Sequence, residues 1–370
     1  MKNYNILINK IMLIPIPNNI NYLWNNGSIL MTCLMTQFMS GFLLIFYYSP
    51  SINNSFNSIM YLMRETNYGF IIRFIHMNMA SMFFLFMYLH ISRNLLYQSF
   101  KLSKIWYSGV TMLILSTLTA FLGYTLPWGQ MSYWGAIVIT NLVTSIPIVG
   151  QNLLNLIWGN FSMNNTTLMR FFNFHYMLPF IIIILMITHI AMLHNSSSNN
   201  PLGLKQNNDM IYFNHYFSWK DYLGILLMFM MLMFINFMFP YLLMNKENFF
   251  ESNPMITPIH IEPEWYFLYA YAMLRSIPNK LSGTIALMSS ILILYFVPLM
   301  NNNIMKFKTM KFYPINKFMT ILFFINFIML TIMGSMPMTK SHMFMTKMLM
   351  IYYFSFFFIN PLIIYLSTNL

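Results

Sequence analysis

Long, evenly apolar stretches separated by short polar connections dominate the chain. Eight of them approach the ~20 residues a helix needs to cross a bilayer. They run at approximately 28–48, 69–97, 108–128, 171–193, 222–243, 283–300, 318–335 and 346–366. This pattern predicts an all-α integral membrane protein with eight transmembrane helices and no soluble domain. The polar run Asn195 to Asn200 divides the spans four and four, giving an expected N-terminal unit over 1–205 and a C-terminal unit over 206–370. Two connections are too long for turns. The one at 129–168 contains the apolar runs Ile137–Val143 and Leu153–Trp158, too short to span and read as helices lying at the membrane surface. The one at 244–282 holds most of the acidic residues, and connections of this length are often functional.

Composition sharpens this reading. Only 7% of residues are charged, against roughly 25% in soluble domains, and a chain this long could not cover a water-exposed surface with so few. The net charge of +12 is spread over short loops without clusters, which excludes a nucleic-acid footprint and fits a topology signal. An even number of spans puts both termini on one side. That side carries 11 of the 19 Lys and Arg: Lys2, Lys10, Arg93, Lys101, Lys104, Lys205, Lys220, Lys306, Lys308, Lys311 and Lys317. The excess favours the termini inside. No cleavable signal is evident over residues 1–20. The 40 methionines, with heavy use of Ile, Asn and Phe, resemble the output of an AT-rich organelle genome, so synthesis inside the mitochondrion and a matrix location for the termini are expected. Cys33 is the only cysteine, which excludes a disulfide framework, a thiolate-held iron–sulfur site and covalent heme attachment.

Four of the eight histidines fall inside two spans, His76 and His90 in the second, His175 and His189 in the fourth. Both pairs are 14 residues apart. That interval is about 40° short of four full turns and about 21 Å of rise, so each pair occupies one face. The second and fourth spans run in the same direction, which sets His76 at the depth of His175 and His90 at the depth of His189. Two facing imidazoles at each level suit bis-histidine ligation of a heme iron, with one heme toward each membrane face. A bland reading, four separately hydrogen-bonded histidines, does not account for the duplicated spacing. Arg73 and Arg93 stand three residues outside His76 and His90, where heme propionates would emerge, and Arg pairs bidentately with carboxylates. Gly27 and Gly41 in the first span, and Gly109 and Gly123 in the third, repeat the interval of 14. Lacking a Cβ, each would let a flat macrocycle approach the backbone.

Three local motifs complete the pattern: Gly123-Tyr124-Thr125-Leu126-Pro127-Trp128-Gly129-Gln130-Met131-Ser132, Pro263-Glu264-Trp265-Tyr266, and Arg275-Ser276-Ile277-Pro278-Asn279-Lys280. Together with the histidines they resemble the cytochrome b family of the mitochondrial and bacterial cytochrome bc complexes. The resemblance covers nearly the whole chain and weakens over the last ~50 residues. An unsplit eight-span chain resembles the respiratory form (complex III). The resemblance implies a low-potential heme on His76 and His175 and a high-potential heme on His90 and His189. It implies ubiquinol oxidation at the outer face around Glu264, with Tyr124, Pro263, Trp265 and Tyr266 shaping the site. It implies ubiquinone reduction at the matrix face, where His194, Ser198, Lys220 and Asp221 match the family pattern. The expected partners are a Rieske iron–sulfur protein, a cytochrome c-type subunit and other subunits of a homodimeric complex in the mitochondrial inner membrane.

Residue chemistry agrees with these roles. Glu264 is a carboxylate in an aromatic setting, suited to accept a quinol proton; His194 and Asp221 can donate protons to a quinone. Two positions depart from the family. Glu262 stands where Lys is common, and Asn195 where an acidic residue is frequent. His215, His260 and His342 are read as loop histidines. The competing readings are a different diheme membrane reductase, which would lack the Pro263–Tyr266 motif, and a transporter, which would carry ionisable groups at mid-membrane.

Overall fold

The computed structural model describes residues 13–203, 209–300, 309 and 312–369. Six of the lysines counted for topology (Lys2, Lys10, Lys205, Lys306, Lys308 and Lys311) and the expected unit boundary at 205 lie outside the described residues.

The helices are α1 (Asn26–Ile45), α2 (Ile52–Glu65), α3 (Gly69–Leu96), α4 (Ser103–Thr125), α5 (Gln130–Thr140), α6 (Gly150–Trp158), α7 (Asn165–Ser196), α8 (Tyr216–Met238), α9 (Leu268–Ser276), α10 (Lys280–Met300), α11 (Pro314–Ser335) and α12 (Lys340–Asn369). Among the described residues eight are long and apolar enough to cross a membrane: α1 with its leading turn, α3, α4, α7, α8, α10, α11 and α12. The protein is therefore multi-pass. Large apolar side chains such as Phe174, Ile184, Met230 and Phe237 are exposed along the spans, as lipid contact requires.

Several hydroxyls within the spans are satisfied by their own helix. In α1 the hydroxyls of Thr32, Thr36 and Ser40 each donate to the carbonyl four residues back, a bond that serves where water is absent. The start of α7 is fixed by chemistry that hydropathy does not register. Asn164 and Thr167 form a capping box, and Thr166 and Thr167 both donate to the Trp158 carbonyl at the end of α6. The span thus begins at Asn165, earlier than its apolar run suggests.

α1 packs on α3 and α4 on α7, with α1 also touching α7, forming a four-helix bundle. In the C-terminal part, α9 lies against α10, α11 and α12. Glycines permit this closeness: a Cβ on Gly283 would stand 2.7 Å from the Leu274 carbonyl oxygen, and one on Gly334 would overlap that of Leu268. The fifth span, α8, makes its helix contacts with α1 and α3. A buried Asn78 Nδ2 to Asn236 Oδ1 bond of 2.8 Å ties it to α3.

Four elements do not show in the apolar pattern. Helix α2 has too many polar residues to stand out, yet it buries Ser55 and Leu62 and packs on α3. Helix α9 sits inside the long acidic connection. Strands β1 (Pro15–Pro17) and β2 (Met210–Tyr212) form a short antiparallel ladder. The surface helices expected at 137–143 and 153–158 are present as α5, the 3₁₀ turn Asn141–Ser145 and α6.

Candidate functional site

The bundle brings the four intramembrane histidines together in two levels. His76 on α3 faces His175 on α7 with ring centroids 6.3 Å apart and planes at 87°. Fourteen residues further along both helices, His90 lies within electrostatic reach of His189. The two helices therefore run in the same direction.

Three of the four rings have a hydrogen-bond acceptor beside Nδ1. Ser40 Oγ donates its one proton to the Thr36 carbonyl at 2.7 Å, so it accepts from His76 Nδ1 at 3.0 Å. Ser108 repeats the arrangement, donating to Ile105 at 2.8 Å and accepting from His189 Nδ1 at 2.7 Å. His175 Nδ1 donates to the Thr119 carbonyl at 2.8 Å. With Nδ1 protonated, Nε2 is left as a bare lone pair, the arrangement a metal ligand needs. His90 differs: its Nδ1 neighbour is a pure donor, Arg93 Nη2, at 3.4 Å.

A macrocyclic metal group fits this arrangement. A metal–imidazole bond of about 2.0–2.1 Å on each side, plus about 1.1 Å from nitrogen to ring centre, puts two rings sharing an ion about 6.3 Å apart. Among the described residues no three His, Cys, Asp or Glu gather to hold a metal, so the remaining ligands would have to come from the group itself. Each of the four predicted glycines lies against one histidine. A Cβ on Gly41 would stand 2.9 Å from His76 Cε1, on Gly109 3.4 Å from His189 Cε1, and on Gly27 3.7 Å from His90 Cε1; on Gly123 it would overlap the His175 ring. Arg93 stacks over Trp24 at 5.0 Å, with its Nε buried and unpartnered. An anionic group there would satisfy it.

A cavity of about 310 Å³ opens at the His76–His175 level. Arg73, Gly41 and Gly123 line it, and so do Tyr124, Glu264 and Tyr266. The histidine pair and the carboxylate of the Pro263–Tyr266 motif thus share one enclosure. Glu264 precedes the 3₁₀ turn Trp265–Phe267. Burial pushes its carboxyl up to about 7; the charge of Glu262 adds to the shift and the Tyr124 hydroxyl opposes it. Tyr266 stacks on Phe84 with centroids 4.1 Å apart and planes at 8°, and burial raises its phenol well above the usual value. Trp265 Nε1 donates to Ser81 Oγ at 3.2 Å.

The two long connections are joined beside this cavity. Gln130 N donates to the Phe250 carbonyl at 2.9 Å, and Ser252 N to that of Trp128 at 3.1 Å. Asn248 accepts from Ser132 N at 2.9 Å and donates to the Tyr124 hydroxyl at 2.9 Å. Asn248 was not singled out in the sequence, because a loop asparagine carries no periodic signal. Ser40 and Ser108 were also passed over, although each immediately precedes a glycine already marked by spacing.

At the other level the arrangement is more open. His194 is exposed near the end of α7. Lys220 Nζ donates to the Ile20 carbonyl at 2.7 Å and lies over the Tyr22 ring at 4.8 Å. Asp221 lies near Ser28, whose hydroxyl donates to the Asn25 carbonyl at 2.8 Å. Ser198 adjoins Asn199, whose carbonyl accepts from Trp24 Nε1 at 3.0 Å and whose amide reaches the Tyr97 carbonyl at 2.8 Å. The Ser198 loop is thereby held close to Trp24 and Arg93.

The fold defines a multi-pass membrane protein of the helical-bundle type, with histidines paired between its helices. The comparisons make this specific. Residues 11–197 match the family described as Cytochrome b/b6/petB, and residues 251–354 match Cytochrome b(C-terminal)/b6/petD. The chain is 50% identical to the cytochrome b of Apis mellifera ligustica over 353 residues, covering 94% of this chain and 91% of that one. It is 47% identical to that of Bugula neritina over 353 residues, covering 95% of each. A chain of a solved hyperthermophilic respiratory Complex III superposes with a TM-score of 0.94 at 29% identity, covering 99% of this chain and 97% of that chain. The protein belongs to the cytochrome b family.

Proposed function

We propose that the chain is the electron-carrying subunit of a respiratory quinol–cytochrome c reductase, oxidising ubiquinol at one membrane face and reducing ubiquinone at the other in a proton-translocating Q cycle. The observation that carries the reading is the shared enclosure: the His76–His175 pair, 6.3 Å apart, and the Glu264 carboxylate line one cavity. A quinol held there would lie beside both a proton acceptor and an electron acceptor. Family membership and the likeness to respiratory Complex III support it independently.

Two b-type hemes, one per histidine pair, would supply one-electron transfer between the faces, over about 21 Å of helix rise. His76 and His175 would hold the low-potential group, His90 and His189 the high-potential one. Arg73 and Arg93 would pair with propionates, and Gly27, Gly41, Gly109 and Gly123 would leave the macrocycles room. Glu264, held near neutrality in its affinity for protons, would take a quinol proton, with Tyr124 and Tyr266 orienting the ring and Pro263 and Trp265 fixing the turn. At the opposite face His194 and Asp221 would deliver protons to quinone, with Ser198 and Lys220 binding it. We assign the first face to the outside and the second, with both termini, to the mitochondrial matrix. The bundle-forming residues 1–205 and the remaining 206–370 would act as heme-binding and quinol-loop units. Turnover would require a Rieske iron–sulfur protein and a cytochrome c-type subunit in a dimeric complex.

The test is a dithionite-reduced minus oxidised spectrum of the purified complex, titrated against potential. Two b-type components with separate potentials are expected, and His175→Leu should abolish the lower one together with all quinol-dependent cytochrome c reduction. A single component in the unaltered chain would refute the two-level reading.

A further inference from the structure

His260, Glu262 and Glu264 alternate along the non-helical segment that leads into the 3₁₀ turn. Side chains two apart in an extended chain lie on one face, and Pro263 holds Glu262 in extended backbone. The three groups also grade outward. Glu264 lines the cavity. Glu262 is partly exposed and acts electrostatically on Glu264, Tyr124 and Tyr271. His260 Nε2 lies 3.5 Å from Glu262 Oε2, with 43% of its side chain exposed.

We propose that His260, Glu262 and Glu264 form a proton path that carries quinol protons from the cavity to the water at the membrane surface. The proposal rests on the quinol-oxidising reading of the cavity. A proton leaves a quinol hydroxyl for the Glu264 carboxylate. It passes to Glu262, then to His260 Nε2, and from the imidazolium to water. Each transfer breaks one O–H or N–H bond and forms another, and each group returns to its starting charge. Glu262 stands where the family usually has lysine, a residue that could not relay a proton while charged. The other groups facing it are Tyr124 from α4, Tyr266 from the turn, Tyr271 from α9 with Arg275 over its ring at 5.0 Å, and Arg73 across the cavity.

The test measures quinol–cytochrome c reductase turnover against pH in the assembled complex, normalised to heme content, for the unaltered chain, Glu262→Gln, Glu262→Asp, His260→Gly and, as a charge control on α2, Glu65→Gln. Glu262→Gln should lower the maximal rate roughly tenfold, a share of what positioned proton transfer contributes, without changing the quinol KM and with a larger solvent isotope effect. Glu262→Asp, which keeps an acid and serves if the Gln variant assembles poorly, should retain most of the rate. His260→Gly should be slowed and recover with added imidazole. If Glu262→Gln only moves the pH profile downward, by removing a negative charge beside Glu264, and keeps its maximal rate, Glu262 is a local charge and the relay is wrong. If the unaltered complex shows no quinol-driven heme reduction at all, the cavity's assignment to quinol falls instead, and that outcome is separable from the first.

Discussion

The two histidine levels are built from the same parts and enclosed differently. Both use rings at an interval of 14 on α3 and α7 and glycines at the same interval on α1 and α4. Both use a Ser-Gly pair, Ser40-Gly41 or Ser108-Gly109, in which the hydroxyl orients an imidazole and the glycine makes room for it. The His76–His175 level is covered by the 244–282 connection, which puts the half-buried Glu264 carboxylate in the same cavity. The His90–His189 level ends among polar and cationic side chains near the surface, with His194 exposed. A carboxylate partly withdrawn from water has its proton affinity raised, and a fully exposed group does not. Under the proposed function, proton release would fall to Glu264 at the first level and proton uptake to the polar cluster around His194 at the second.

The comparison breaks most readily at the glycines. A Cβ at Gly123 would overlap the His175 ring, whereas one at Gly109 finds ordinary contact with His189 at 3.4 Å. Gly123→Ala should therefore displace His175, abolish the b-type absorbance of that level and take turnover to background. Gly109→Ala should keep both components. Heme spectra of the two variants decide it. Equal tolerance would mean that the tight packing is not what holds the first level.

How far this asymmetry could be read from the sequence depends on the kind of signal. Helix periodicity is long-range and regular, so the eight spans and the depth match of His76 with His175 were accessible from the interval alone. The glycine contacts followed because they share it. Helix α2 was missed because its amphipathic, polar-rich sequence does not exceed loop hydropathy; α9 was hidden in a connection read as acidic loop. The enclosure of Glu264 depends on Asn248 joining residues 124 and 132 to the opposite connection, a contact across more than 100 residues of sequence that leaves no local pattern. His260 is an exposed loop histidine, as its sequence context suggests, and the contact of its ring with Glu262 at 3.5 Å leaves no pattern in the sequence.

The next effect is set by the carboxylate. With the Glu264 carboxyl pushed up to about 7, turnover limited by its unprotonated form should rise as pH increases through that value and level off above it. Glu264→Gln should cost about 100-fold in kcat and flatten the rise. Stability changes with the opposite sign. Burial makes the folded state hold the proton more tightly than the unfolded chain, so between the ordinary carboxylate value and about 7 the folded state binds more protons and stability falls with rising pH. Above that window the contribution is constant. Thermal unfolding of the assembled complex at pH 5 and pH 8 should show the loss, and Glu264→Gln should reduce it.

The smallest effect separates orientation from ligation. Ser108 Oγ accepts from His189 Nδ1 at 2.7 Å, so Ser108→Ala removes the acceptor that fixes the ring's tautomer and leaves Nε2 in place. The hydrogen bond contributes about 0.5–1.5 kcal/mol, too little to release a group that His90 and His189 would hold together. Both b-type components should therefore persist. The midpoint potential of the His90–His189 component should rise, because an imidazole whose Nδ1–H has lost its acceptor donates less electron density to the metal; the His76–His175 component should not move. A redox titration followed at the absorbance of each component gives both readings at once. A shift of both potentials together would mean that Ser108 acts through helix packing between α4 and α7, and the parallel drawn between the two Ser-Gly pairs would fail.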